Sequence, residues 1–188
     1  MIDFADLSLW NTAAQAKECM KDKIVALKAS EGGSIQDPQF LQRVKLYADK
    51  PVIAYHFCRL DRNEPEVEVN KFLSVCKKAE RPLVLALDFE GPCQSNKHDL
   101  DRLVKMVDLI RVRTGKEPYI YINESMLTKA KRLGYNFSWL WIAKWSSYKP
   151  KYDCGIWQFT NRWKDQNLDG NHFMVDDIEL LKRHEVKL

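Results

Sequence analysis

The sequence predicts an α/β fold, a reduced barrel of about eight strands with about five helices, and three observations predict it. Short runs rich in Ile, Val, Leu and aromatics alternate with longer amphipathic stretches, the pattern of β/α units. The first five apolar runs are separated by enough chain for helical crossovers, which makes those strands parallel. Nearly every run ends in a polar or aromatic residue, as on the rim of a β/α barrel where active sites form.

The elements follow in order. Strands are expected at Ile2–Asp6, Ile24–Ala29, Val52–Phe57, Leu83–Phe89, Tyr119–Ile122, Leu140–Lys144 and Gly155–Phe159, with a short piece near Leu168. Pro51, Pro82 and Pro118 each stand just before a strand, where a missing amide donor is tolerated. Helical stretches are Ala13–Lys21, Pro38–Ala48, Glu64–Ala79, Lys97–Thr114, Ser125–Leu133 and Asp176–His184. Beyond Lys144 the spacing collapses: 13 residues separate Ala143 from Ile156, and 12 more reach Leu168. Loops or hairpins, not helices, must join the last strands.

The length of 188 residues favours one domain over 1–188, and 45% hydrophobic residues supply a core, which excludes disordered and collagen-like chains. The net charge is +4, with charges of both signs mixed along the chain and no concentrated basic stripe of the kind expected of a nucleic-acid binder. The longest apolar runs, Leu83–Leu87 and Trp139–Ala143, are far shorter than the roughly 20 residues of a membrane helix, so no membrane insertion is expected. Asp3 and Asp6 interrupt the N-terminal apolar stretch and no Lys or Arg precedes Lys17, unlike a secretory signal. Five cysteines without a CxxC pair indicate neither zinc nor a disulfide framework; reduced, buried thiols are expected.

The strand ends carry the chemistry. Asp6 closes the first, Lys28 with Glu31 the second, His56 the third, Asp88 and Glu90 the fourth, and Tyr121 and Asn123 the fifth. Trp145, Gln158 and Asp169 close the last three, and one cleft is expected to collect all these groups. Asp88 and Glu90 leave an apolar strand two residues apart and so face the same way. Two carboxyl groups flanking a bond are the equipment of glycoside hydrolysis. Taken alone, Asp-x-Glu is usually a solvated loop start; matching acids at two other strand ends weigh against that. A metal-dependent barrel hydrolase needs more nitrogen ligands than four histidines provide, since only His56 lies at a strand end. Trp139, Trp141, Trp145, Tyr148, Tyr152, Trp157, Phe159 and Trp163 crowd the C-terminal third, and about half are expected to meet a ligand, flat faces suiting sugar rings.

Eight segments in order resemble glycoside hydrolase family 25, the muramidases found as phage endolysins, bacterial autolysins and some secreted lysozymes. They are Asp6-Leu7-Ser8, Lys28-Ala29-Ser30-Glu31-Gly32, Ala54-Tyr55-His56-Phe57, Leu87-Asp88-Phe89-Glu90, Tyr119-Ile120-Tyr121, Trp141-Ile142-Ala143-Lys144-Trp145, Ile156-Trp157-Gln158-Phe159 and Asp169-Gly170-Asn171. The resemblance implies a modified TIM-type barrel of eight strands and five helices that cleaves the β-1,4 bond between N-acetylmuramic acid and N-acetylglucosamine in peptidoglycan, without metal or other cofactor. It makes Glu90 the general acid, Asp88 its partner carboxylate, and Asp6 and Asp169 two further acids at the rim. Tyr55, His56, Tyr121, Trp145, Gln158, Lys28 and Glu31 then contact the glycan. Asn11, Trp145 and Phe159 depart from the family's usual Gln, Tyr and Tyr, which bears on preference for acetylation pattern.

The partner implied is the peptidoglycan glycan strand, met by a monomer at the bacterial wall. The chain is then a phage endolysin made in the host cytoplasm or a secreted protein without its signal. Only 15 residues follow Phe173, so no further wall-binding module is expected within the chain. Cations on helices such as Lys97–Thr114 are expected to give a positive exterior around an anionic cleft floor. A carbohydrate-binding protein that kept the groove without turnover is the alternative from another class.

Overall fold

The computed structural model describes residues 1–188. The chain runs β1 (Ile2–Leu7), α1 (Ala13–Glu18), β2 (Val25–Glu31), β3 (Ile35–Gln36), α2 (Phe40–Leu46), β4 (Val52–Phe57), α3 (Pro65–Lys77), β5 (Leu83–Asp88), α4 (Lys97–Thr114) and β6 (Tyr119–Asn123). It continues with α5 (Glu124–Arg132), β7 (Leu140–Ala143), β8 (Ile156–Thr160), β9 (Asp169–Phe173), α6 (Ile178–Lys182) and β10 (Glu185–Val186).

Eight of these strands close a mixed barrel. The seven strands β1, β2, β4, β5, β6, β7 and β8 pair in that order and all run parallel. Antiparallel β9 fills the gap between β8 and β1. The collapse of spacing after Lys144 is realised in two ways: a helix-free loop joins parallel β7 and β8, and a hairpin-like return joins β8 to β9. Because β9 is reversed, its first residue, Asp169, lies on the rim where the parallel strands end. The sequence reading had Asp169 closing a strand; it opens one, directly opposite Asp6.

Strand alternation divides the core. Phe4, Ile53, Tyr55, Val84, Tyr121 and Trp141 fill the barrel interior, while Val52, Ala54, Leu85, Leu87 and Ile120 face outward onto the helices. Helices α1 to α5 surround the barrel. Short α6 instead presses Leu181 against the interior cluster, and β10 pairs with the start of β5, so the C-terminal segment closes the end opposite the rim. Local chemistry sets the helix ends: a Thr12–Gln15 capping box starts α1, Pro65 opens α3, and Asn96 caps α4, which ends at left-handed Gly115.

Candidate active site

The rim of parallel strand ends encloses a cleft of about 240 Å³ lined by Asp6, Ser8, Trp10, Lys28, Tyr55, Phe57, Asp88, Glu90, Tyr121, Trp141, Gln158 and Asp169. All four acids singled out in the sequence therefore meet in one place. Asp88 is the last residue of β5, flanked laterally by Phe57 and Tyr121. Glu90 stands two residues on, at a turn where Gly91 adopts φ 60° and a Cβ would meet the Phe57 ring at 3.3 Å. Both carboxyl groups thus face the cleft from a single strand end. Asp88 Oδ1 is buried and has no hydrogen-bond partner.

A polar network underlies the other pair of acids. Asp6 Oδ2 accepts from Gln158 Nε2 (3.1 Å) and Asn171 Nδ2 (2.8 Å). Asn171 Oδ1 in turn accepts from Trp141 Nε1 (2.8 Å), and Gln158 Oε1 accepts from the Tyr121 hydroxyl (3.0 Å) and Trp145 Nε1 (2.9 Å). The two side-chain amides are thereby locked with their donors toward Asp6. Tyr55 and Tyr121 meet Trp141 edge-on at 6.2 and 5.3 Å, forming an aromatic floor.

Crowding these acids out of water sets their protonation. Burial pushes Asp88 well above the usual carboxylate range, reinforced by Glu90 and Asp6. Burial and Asp6 also raise Glu90. Asp169 is pushed up to about 8 by burial and by Asp6 and Glu90. Burial raises Asp6 too, opposed by its hydrogen bonds from Asn171, Gln158 and Asp169, so the ionised form of this pair is favoured on Asp6 and the neutral form on Asp169.

Lys28 is the cation of the cleft and lowers Asp88 and Glu90. A bulge in β2 aims it. Lys28 pairs with Tyr55 but Ser30 with His56, so Ala29 is an extra residue in the ladder. The insertion brings Lys28 and Glu31 to the same side, where Nζ meets Oε2 at 2.8 Å and lies 4.6 Å above the Phe57 ring. Burial opposes ionisation of Glu31, but Lys28 and Arg59 together hold it below the usual range.

Two expected glycan contacts, His56 and Glu31, are turned away from the cleft, and a third, Trp145, lies at its edge. His56 is fully buried on the helix-facing side of β4, one residue out of phase with Tyr55, and bonds Ser30 Oγ (2.8 Å) and Glu68 Oε2 (3.0 Å). It does not line the cleft. Glu31 turns to Lys28 and Arg59 and does not line the cleft. Trp145 stands at the mouth, 61% exposed and joined to the cleft through Gln158. Asn123 is also absent from the cleft, since its side chain caps α5 through Met126 N (2.9 Å). No three His, Cys, Asp or Glu side chains are placed to ligate one metal ion.

Sequence reasoning assigns no site role to Asn171, Ser8, Phe57 or Trp10, which the structure brings to the cleft or its network. The alternation of Asp169 with Asn171 was a usable signal, since both must share a strand face. Trp141, one of the aromatics that the sequence singles out for sugar contact, does line the cleft.

The family description "Glycosyl hydrolases family 25" matches residues 5–168. Uncharacterized protein YegX of Escherichia coli O6:H1 is 24% identical over 173 residues, covering 89% of this chain and 62% of its own length. This chain therefore spans less than two thirds of that relative. The catalytic domain of endolysin ply40 from a bacteriophage of Listeria monocytogenes superposes with a TM-score of 0.80 at 21% identity, covering 97% of each chain. A family GH25 lysozyme from Aspergillus fumigatus superposes with a TM-score of 0.79 at 20% identity, covering 96% of this chain and 97% of its own. These likenesses establish a shared fold across nearly the whole chain.

Proposed function

This chain belongs to glycosyl hydrolases family 25, and from that premise we propose that residues 1–188 form a catalytic unit that hydrolyses peptidoglycan. The bond cut is the β-1,4 link between N-acetylmuramic acid and N-acetylglucosamine, with retention at the anomeric carbon. The observation that carries this reading is the pair Asp88 and Glu90, delivered by one strand end into a cleft with Asp6 and Asp169. The cleft is smaller than the ~300–1,000 Å³ of sites that engulf a whole small molecule, so it suits one section of a longer chain. The muramidase, lysozyme and endolysin names among proteins of this fold agree with a wall glycan.

Glu90 is the general acid. Burial and the negative field of Asp6 raise its hold on the proton above that of an ordinary glutamate, the direction that donation to a leaving oxygen requires. Asp88 is the partner. Its side chain lines the cleft and makes no hydrogen bond through Oδ1, which leaves its carboxyl group free to receive the N–H of a substrate acetamido group. A hydrogen bond of that kind favours ionised Asp88 and leaves the proton on Glu90. The acetamido carbonyl, steadied by Asp88, or Asp88 itself then attacks the anomeric carbon while Glu90 protonates the departing oxygen. Glu90 next takes a proton from water, whose oxygen displaces the intermediate; both routes invert twice and so retain configuration. Asp6, whose anionic form Gln158 and Asn171 favour by donating to it, stabilises the positive charge of the ring. Tyr55, Tyr121 and Trp145 contact the sugars, and Glu31 fixes Lys28.

The test is digestion of purified Gram-positive walls, with and without chelator. Clearing that chelator does not affect, with new reducing ends on muramic acid first released as the β-anomer, supports the reading. Reducing ends on glucosamine would move the cleaved bond. Loss of activity in chelator would bring in a metal, and binding without clearing would leave only a lectin.

A further inference from the structure

Of the 30 Lys and Arg residues, six lie between Ser125 and Tyr152, a stretch with no Asp or Glu; the other 24 face 26 acids. The entire positive excess of the protein therefore sits on α5, β7 and the start of the β7–β8 loop. Helix α4, expected from sequence to supply the positive exterior, is largely self-neutralised. Lys97 pairs with Asp101 (2.7 Å), Arg111 with Asp108 and Glu117, and Arg113 with Glu66. On the α5 side only Lys144 has an acidic partner, Glu124 at 3.5 Å. Lys129, Lys131, Arg132, Lys149 and Lys151 have none.

These cations share one surface. The Tyr152 hydroxyl donates to Thr128 Oγ1 (3.2 Å) and Lys151 N donates to Glu124 Oε1 (2.7 Å), fastening the loop to α5. Lys131 and Lys151 stand 5.3 and 4.8 Å from the centre of the Tyr152 ring, and Lys144 Nζ donates to Lys149 O (3.0 Å). Lys129 and Arg132, three residues apart, occupy the adjoining exposed face of α5. The same loop carries Trp145, which is bonded to Gln158 at the cleft, and Tyr148, 78% exposed. The cationic surface begins where the cleft wall ends.

We propose that this surface docks an anionic phosphodiester polymer borne by the bacterial wall, beside the glycan strand held in the cleft; the proposal rests on the peptidoglycan reading above. Unpaired like charges held together repel one another, and a polyanion laid across them relieves that repulsion while releasing its counterions. Five of the six cations are lysines, whose compact ammonium meets a phosphate as a point charge and makes no demand on its orientation, as suits a flexible polymer. Contiguity with the glycan cleft favours a polymer attached to the wall over a free nucleic acid.

The test uses the full chain carrying Lys131→Gln, Lys149→Gln and Lys151→Gln, with folding checked by thermal melting. Binding is measured by sedimentation with intact walls and with the same walls stripped of phosphodiester polymer by hydrofluoric acid. The parent should bind intact walls at least about tenfold tighter than stripped ones at low salt, and the triple variant should lose that difference. Its slope of log affinity against log salt should be shallower by about three, one per lysine removed. The corresponding triple Lys→Arg variant should keep most of the preference, and cleavage of a soluble glycan should be unchanged in both. Equal binding of parent and Gln variant to intact walls would overturn the proposal. So would an equal loss on stripped walls, or a parent preference for duplex DNA over the released polymer. If the parent prefers intact walls but leaves soluble glycan uncut, the hydrolase reading fails and the docking surface stands.

Discussion

Gln158 hands its amide nitrogen to Asp6 (3.1 Å) while its carbonyl oxygen is held by Tyr121 and Trp145, so one buried side chain couples the acid floor of the cleft to an aromatic at its mouth. Gln158→Leu keeps much of the volume but takes an acceptor from the Tyr121 hydroxyl and a donor from Asp6. The expected cost is about 1–3 kcal/mol of stability, read from urea unfolding, with weaker glycan turnover. Unchanged stability would show that the network is not as tightly satisfied as the distances imply.

Protonation of Asp169 gives a stability test with a definite sign. Its folded pKa of about 8 lies above the ordinary 3.8, so the native state holds a proton that the unfolded chain has released. That contribution is fully present below pH 3.8 and is lost as pH rises toward 8. Asp169→Asn removes the dependence. The parent's Tm should therefore fall more steeply than the variant's between pH 5 and 8; parallel curves would contradict the assignment.

Lys28 lowers both Asp88 and Glu90, so Lys28→Met should displace the pH profile of kcat/KM to the alkaline side. The effect belongs to the charge and not to the fold, since Glu31 retains Arg59 as its partner. A profile that only loses height, without moving, would reduce Lys28 to a substrate contact.

The barrel was legible because strand alternation, proline placement and crossover lengths all report on the backbone, and the four acids were legible because strand ends converge. What escaped was decided by phase and pairing. His56 lies one residue from Tyr55, and that single step moves it from the cleft to the helix layer. Glu31 reaches Lys28 only because the bulge at Ala29 shifts the register, which no local pattern announces. The short spacing allowed a loop or a hairpin before β9, and only the pairing decides for the reversal that sets Asp169 against Asp6. Along α4 the charges were visible, but their mutual neutralisation depends on which side chains meet.

The thiols should be inert in the native state. Four of the five cysteines are buried, and burial pushes Cys93, the nearest to Glu90 in sequence, up to about 12 and half-buried Cys154 up to about 11. Treatment with an alkylating reagent at neutral pH should modify at most Cys154 and leave wall lysis intact. Full inhibition without unfolding would require a catalytic thiol.

The central claim, that Glu90 gives the proton and Asp88 steadies the positive centre, is tested most directly by comparing Glu90→Gln and Asp88→Asn on two substrates. On natural glycan, Glu90→Gln should lower turnover by about 10²- to 10⁴-fold, the usual loss with a general acid. On a glycoside with an activated leaving group, which needs little protonation, most of that loss should disappear, whereas Asp88→Asn should impair both substrates alike. If Glu90→Gln cuts both substrates equally while Asp88→Asn spares the activated one, the two roles are exchanged and the account is contradicted.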